Sequence, residues 1–357
     1  MSFEKTVTLS NGVKIPQIGL GTWLSKPKEV ENAVSLPSRS DFVVVSQLCL
    51  VAPEDEALTL ASFLKVEIAV RNNYRHLDLA MVYRNQDEVG AALKKVIPSV
   101  VKRDELFITS KLWNSAHRPE EVEKELDETL KQLGIDYVDM YLIHWPIAFT
   151  PGQGLFPPHP TVPGEVEIDN SVTLVETWKA MIALPKSKAR AIGVSNFSVE
   201  QLKGIINATG VVPVINQIEA HPLLPQDELY DFCKEKNIHI TAYSPLGNNL
   251  VGKPKLTDHP VVNEIAKKLN ATSAQVLVAW GAQRGYSVIP KSVQEDRIIS
   301  NFKQVELSKE DFEKVSSIGV GNRTRFNIPW TTCNPNWDVN CFGEPEEAGR
   351  THQVRIQ

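Results

Sequence analysis

Residues 106–133 read LFITSKLWNSAHRPEEVEKELDETLKQL, and their reading decides the fold. An apolar run, Leu106–Leu112, gives way after a short polar link to Pro119–Leu133, which opens on a proline and an acidic first turn. The first part has the length and composition of a strand, the second the start signals of a helix. The same alternation continues outward in both directions. Strands are expected at Ile18–Trp23, Tyr74–Leu79, Val138–Trp145, Ala191–Asn196, Val214–Ala220, His239–Leu246 and Ser287–Ser292, with helical patterns at Gln86–Ile97, Leu174–Leu184, Glu200–Ala208, Asp227–Lys236 and Pro260–Leu269. Eight strands, each followed by a helix, specify an α/β fold of the (β/α)8 TIM-barrel type rather than an open sheet. The doubly wound alternative needs a third glycine after Gly19-Leu-Gly21, where Thr-Trp-Leu stands instead.

Further out, Thr6–Leu20 holds two short β-prone runs around Asn11-Gly12, the signature of a hairpin. Ser273–Gln283 and Ser308–Ser317 read as helices added to the barrel, and the tail from Arg323 as a long loop or a loose end. Residues 1–330 are expected to form one barrel and 331–357 a C-terminal loop and tail. The 357 residues carry 43 acidic and 38 basic side chains, a net charge of -5, which leaves no basic surplus for a nucleic-acid backbone. Cys49, Cys233, Cys333 and Cys341 lack metal-site spacing, and no apolar run is long enough to cross a bilayer. A cytoplasmic protein without a metal is expected.

A barrel of this kind builds its active site at the carboxyl ends of its strands. Asp78 ends the second expected strand, Tyr83 lies five residues on, Lys111 ends the third and His144 the fourth. A lysine closing an apolar strand needs a carboxylate beside it, and Asp78 is placed to supply one. The resulting ammonium would lower the Tyr83 phenol pKa toward neutrality and make it a general acid, with His144 orienting the same substrate oxygen. A structural ion pair beside a packed tyrosine and histidine is the alternative at this point.

Gly19-Leu-Gly-Thr-Trp23, Tyr74-Arg-His-Leu-Asp-Leu-Ala80 with Tyr83, Ile108-Thr-Ser-Lys-Leu112, Tyr141-Leu-Ile-His-Trp-Pro146, Gly193-Val-Ser-Asn-Phe197, Asn216-Gln217 and Ile289-Pro-Lys-Ser292 resemble, in order and spacing, the motifs of the aldo-keto reductase family. Within it, the resemblance is greatest to the fungal NADP-dependent glycerol dehydrogenase and aldehyde reductase group. The resemblance implies NADPH-dependent reduction of a small-molecule carbonyl, or oxidation of a polyol, with Asp78, Tyr83, Lys111 and His144 as the catalytic set. It also implies a monomer. A catalytically silent NADPH binder is the competing function, and the intact tetrad argues against it. Implied cofactor contacts are Gly21, Thr22, Trp23 and Asp78 near the first strands, and Ser195, Asn196 and Gln217 at the carboxamide. Tyr243 would stack on the nicotinamide, followed by Ser244 and Leu246. Lys291, Ser292, Arg297 and Asn301 would meet the 2′-phosphate end, where loops and a helix N-terminus suit an anion. The residues from Gly247 to Lys255 resemble a loop that folds over the cofactor. Trp23, Trp113 and Trp145, with His144, would line the substrate pocket.

One stretch departs from the family pattern. About 32 residues, Val34 to Lys65, separate two halves of what is a single helix in relatives. The stretch opens Val34-Ser35, as the intron start GTAAGT translates in frame, and its composition shifts abruptly. A retained intron or a gene-model error is the expected origin. In the chain as written, a replacement helix is expected over Glu54–Arg71, started by Pro53 and an acidic turn.

Overall fold

The computed structural model describes residues 5–23, 65–248 and 252–357. Among them eight parallel strands form one sheet in sequential order: β3 (Leu20–Gly21), β4 (His76–Asp78), β5 (Phe107–Leu112), β6 (Met140–Ile143), β7 (Ile192–Ser195), β8 (Ile215–Glu219), β9 (His239–Tyr243) and β10 (Ser287–Val288). Parallel bridges Ile18↔Val288 and Gly21↔Lys291 join the two outer strands, so the sheet curls into the expected (β/α)8 barrel. All eight expected strands are present but shorter at their ends.

The seam explains the Gly-Leu-Gly motif. A Cβ on Gly19 would lie 2.6 Å from His76 Nδ1, and one on Gly21 would lie 3.0 Å from Ile289 O. A side chain at Gly19 would strike His76 on the neighbouring strand β4, and one at Gly21 would press on the segment after β10 that closes the barrel.

Residues of β6 alternate between two cores, as strand geometry requires. Tyr141 and Ile143 pack outward against the helices in the main core, while Met140 and Leu142 pack inward with Leu9, Ile15, Phe107 and Ile215. The hairpin β1 (Thr6–Thr8) and β2 (Lys14–Pro16) thus plugs the amino end of the barrel. This leaves the carboxyl end as the open mouth.

The helices start and stop where their terminal residues dictate. Pro119–Leu133 begins with proline and Glu120 and Glu121, and ends at Gly134 in the left-handed region. Thr173 and Ser198 cap Leu174–Ala183 and Val199–Thr209 through reciprocal bonds with Glu176 and Gln201. Residues 65–71 are helical and bury Val66, Ala69 and Val70. The rest of the expected Glu54–Arg71 helix, and all of Val34–Lys65 except Lys65, lie outside the described residues.

The C-terminal segment is an ordered part of the fold. It carries a short helix, Pro329–Thr332, and two parallel strands, β11 (Val339–Asn340) and β12 (His352–Gln353). Its end is bonded to the barrel wall, with Leu174 N donating to Arg355 O and Val175 N to Ile356 O.

Candidate active site

Lys111 is the centre of the mouth. The side chain is fully buried, and its three N–H donors have three acceptors: Asp78 Oδ2 at 2.8 Å, Leu79 O at 2.8 Å and Tyr83 Oη at 3.3 Å. β4 delivers Asp78, β5 delivers Lys111, and a short 3-10 turn, Met81–Tyr83, returns the phenol toward them. Arg84, in the left-handed region, ends that turn. Burial lowers the Lys111 pKa, and Asp78 opposes the shift by charge and hydrogen bond.

Tyr83 differs from the expectation. Burial, Asp78 and Tyr243 raise its pKa well above 10. Lys111 does lie beside the hydroxyl, but its charge is largely answered by Asp78, so the net field on the phenol does not favour ionisation. The free protein therefore keeps Tyr83 protonated, which is the state a proton donor starts from.

His144 follows β6 and stands edge-on to both Tyr83 and Trp113, with ring centroids 5.8 and 5.3 Å away. Burial and the Lys111 charge hold its pKa well below 6.5, so the imidazole is neutral. Its Nδ1 is buried and has no hydrogen-bond partner among the described residues.

Polar side chains on the neighbouring strands form a connected rim. Tyr243 Oη donates to Asn196 Oδ1 at 2.6 Å, and Asn196 Nδ2 donates to His144 O at 2.9 Å and Ser195 Oγ at 3.2 Å. Ser195 Oγ donates to Gln217 O at 2.9 Å, and Gln217 Nε2 to Asp78 Oδ1 at 2.7 Å. Asn196 and Ser244 both have positive φ, which turns the chain sharply at the ends of β7 and β9. Leu246, half-buried beyond Ser244, packs on the cores. Thr22 is buried and bonds Asp78 O through both its backbone N and its hydroxyl, while Trp23 is 52% exposed.

Lys291 pairs with Gly21 across the seam. Ser292 is buried and accepts from Gln294 N; Arg297 is exposed, and Asn301 is buried on the same helix, Glu295–Phe302. The first turn of that helix carries Glu295 and Asp296. These carboxylates lie at the end of the helix dipole that favours negative charge, beside the Lys291, Ser292 and Arg297 side chains of the same loop and helix.

Trp113 and Trp145 share one aromatic cluster, but Trp23 stands apart from it. Trp337 joins that cluster from the C-terminal segment, 5.8 Å from Trp113 and 5.3 Å from Trp145, with Phe156 and Phe342 around it. The sequence reading names none of these three as pocket residues. It also misses Glu219, fully buried two residues beyond Gln217 on the same strand face. Glu219 accepts from Phe326 N, Asn327 N and Asn327 Nδ2 at 2.8, 2.8 and 2.9 Å, pinning the C-terminal loop to the rim.

A barrel with this ammonium–carboxylate–phenol cluster and a neutral histidine at its mouth defines a class of oxidoreductase. Residues 52–320 match the model of the Aldo/keto reductase family, and the chain belongs to that family. It is 46% identical over 365 residues to a D/L-glyceraldehyde reductase of Hypocrea jecorina, covering the whole of both chains. It is 41% identical over 341 residues to the glycerol 2-dehydrogenase (NADP(+)) of Saccharomyces cerevisiae, covering 93% of this chain and 95% of that one. The structure of the aldose reductase from Schistosoma japonicum is similar, with a TM-score of 0.76 and 35% identity over 98% of this chain and 99% of that one. No helix among the described residues is long and apolar enough to cross a membrane.

Proposed function

We propose that this chain uses NADPH to reduce short aldehydes and ketones, glyceraldehyde and dihydroxyacetone among them, and to oxidise the corresponding polyols in reverse. The contact of Lys111 with Tyr83 carries the proposal, because it sets a proton donor beside a cation, with the neutral His144 imidazole edge-on to the same phenol ring. The residues also fit the cofactor: Ser195, Asn196 and Gln217 offer amide and hydroxyl groups that match a carboxamide, and Lys291 and Arg297 offer cations for a 2′-phosphate. The Tyr243 ring, half-buried beside Asn196, would face the nicotinamide, with Gly21, Thr22, Trp23, Ser244 and Leu246 as walls and Ser292 and Asn301 at the adenosine end.

When bound, the nicotinamide supplies or accepts the hydride. Tyr83 Oη gives its proton to the carbonyl oxygen, and the phenolate left behind lies 3.3 Å from the Lys111 ammonium, which stabilises it. Asp78 keeps that ammonium charged and aimed. His144, neutral, has an N–H to offer the same oxygen and fixes its direction. Trp113, Trp145 and Trp337 exclude water from the mouth. The reading extends to a monomer acting in the cytoplasm.

NADPH oxidation with glyceraldehyde, dihydroxyacetone and an aromatic aldehyde tests it, with Tyr83→Phe as the control. The variant is expected to bind NADPH within about twofold of wild type and to lose roughly 10²–10⁴ in kcat, the usual worth of a general acid. Full activity without the phenol would refute the assignment.

A further inference from the structure

Glu125 sets a carboxyl group where helical spacing calls for an apolar side chain. It stands on the inner face of the helix Pro119–Leu133, three residues after the buried Val122 and four before the buried Thr129. Burial raises its pKa to about 7, and the one effect that opposes the rise is the hydrogen bond from Trp113 N. Burial, and then Glu125 itself, raise the pKa of Tyr141 on β6, so the two groups share an interior that favours their protonated forms. A carboxyl in such surroundings is costly unless its hydrogen bond does what an apolar residue cannot.

That bond falls where the sheet stops supplying acceptors. The β5–β6 ladder ends with His144 N donating to Leu112 O at 3.1 Å, and the next N–H along the chain, Trp113 N, donates to Glu125 Oε1 instead. Trp113 O accepts from Ala116 N at 3.1 Å in the turn Asn114–Ala116, and the indole Nε1 donates to Leu155 O at 2.6 Å. Trp113 is therefore held at three atoms, and Glu125 supplies the hold at the point where the strand ends. The ring it steadies is 2% exposed and lies edge-on to both His144 and Trp337, which joins the barrel to the C-terminal segment. We propose that Glu125 is a positioning residue for the carbonyl pocket: by holding the Trp113 backbone it fixes the indole wall against which His144 and the substrate are set. The proposal rests on the carbonyl-reduction reading above.

The test compares wild type, Glu125→Gln and Glu125→Met, which match in length while only the first keeps an acceptor for Trp113 N. Steady-state kinetics with glyceraldehyde and with an aromatic aldehyde are measured for each, together with NADPH binding by quenching of tryptophan fluorescence. Glu125→Met is expected to raise KM for the aromatic aldehyde roughly fivefold, the worth of one lost hydrogen bond, and to leave kcat and NADPH affinity within about twofold. KM for glyceraldehyde, which covers less of the indole, should rise less. Glu125→Gln should bring both KM values back to within about twofold of wild type. In a Trp113→Ala background, Glu125→Met should add nothing further, because the residue through which it acts is gone. Glu125→Met that melts lower yet keeps both KM values would overturn the proposal, since the carboxyl would then serve only the packing of helix on sheet. Equal losses in Glu125→Gln and Glu125→Met would overturn it as well, because the effect would not belong to the bond. If Glu125→Met does not fold, Glu125→Ala, which favours the helix, carries the same expectation. Wild type that reduces neither aldehyde would instead strike the proposed function, and the Glu125 assignment with it.

Discussion

Gln217 Nε2 donates to Asp78 Oδ1 at 2.7 Å while Lys111 Nζ takes Asp78 Oδ2 at 2.8 Å, so both oxygens of one buried carboxylate are tied, one to a neutral amide and one to a cation. The plane of the carboxylate is thereby fixed. Lys111 keeps its third N–H for Tyr83 because its other two are committed. The Tyr83 phenol, which follows β4, is thus positioned from β8, four strands away in the sheet.

Replacing Asp78 with Asn strands the Lys111 charge in a buried site. Breaking a buried pair by removing one partner costs about 3–5 kcal/mol. Urea denaturation of Asp78→Asn is expected to show a loss of that order, and a variant as stable as wild type would mean that the ammonium finds another counter-charge.

Two buried groups set different pH dependences. Burial lifts the Glu125 carboxyl to about 7, against the hydrogen bond it accepts from Trp113 N. The folded protein then holds a proton that the unfolded chain releases at the ordinary carboxylate pKa, so stability falls as pH rises between that value and about 7 and levels off above. Glu125→Gln should melt higher than wild type at about pH 8, and the two should converge toward about pH 5. Identical offsets at both pH values would rule out titration of Glu125 as the cause.

His144 points the other way. Its pKa is held well below 6.5 by burial and Lys111, so the pH profile of kcat/KM is expected to lack a limb near the ordinary histidine value of about 6.5. Such a limb, abolished in His144→Gln, would show that the imidazole is charged in the working range.

Glu219→Gln tests the loop anchor. The carboxylate holds Phe326 and Asn327 while accepting from His221 Nε2 at 2.7 Å, and an amide can replace only part of that set. KM for the carbonyl substrate should rise severalfold, with kcat changed less. A variant that keeps its KM would show that the loop does not shape the pocket.

Excision of Val34–Lys65 tests the origin of that stretch. Phe42–Ala52 within it is apolar, β-prone and nearly uncharged, a pattern that promotes aggregation when exposed. The shortened chain should give more soluble protein and melt higher. Equal yield and melting temperature would count against the stretch being foreign to the fold, and its transcript sequence would then decide.

Much of the barrel was legible because its strands are buried on both faces, which leaves runs such as Met140-Tyr-Leu-Ile143 without polar interruption. Strand ends were not: Ile18–Trp23 contracts to Leu20–Gly21 because hydrogen bonding to neighbours, rather than apolarity, sets the boundary. The Asp78–Lys111 pair followed from the cost of burying an ammonium. The direction of the Tyr83 shift did not, because it depends on how fully Asp78 answers Lys111 and on local burial, neither of which is written in spacing. Gln217 on Asp78 and Trp337 on Trp113 join residues far apart in the chain, so no local pattern announces them.

Glu219 grips residues 326 and 327, and Glu347, equally buried, accepts from Cys341 N, Phe342 N and Glu344 N. The segment from Ile328 to Asn340 spans these two piers like the deck of a bridge, and meets the barrel between them where Asn336 bonds Gly164 and Val166 and Trp337 packs on Trp113 and Trp145. The two piers hold backbone N–H groups, so they ask little of which side chains the deck carries. Descendants of this barrel can therefore exchange the roof over the mouth, and with it the molecules admitted, without disturbing the floor where protons move.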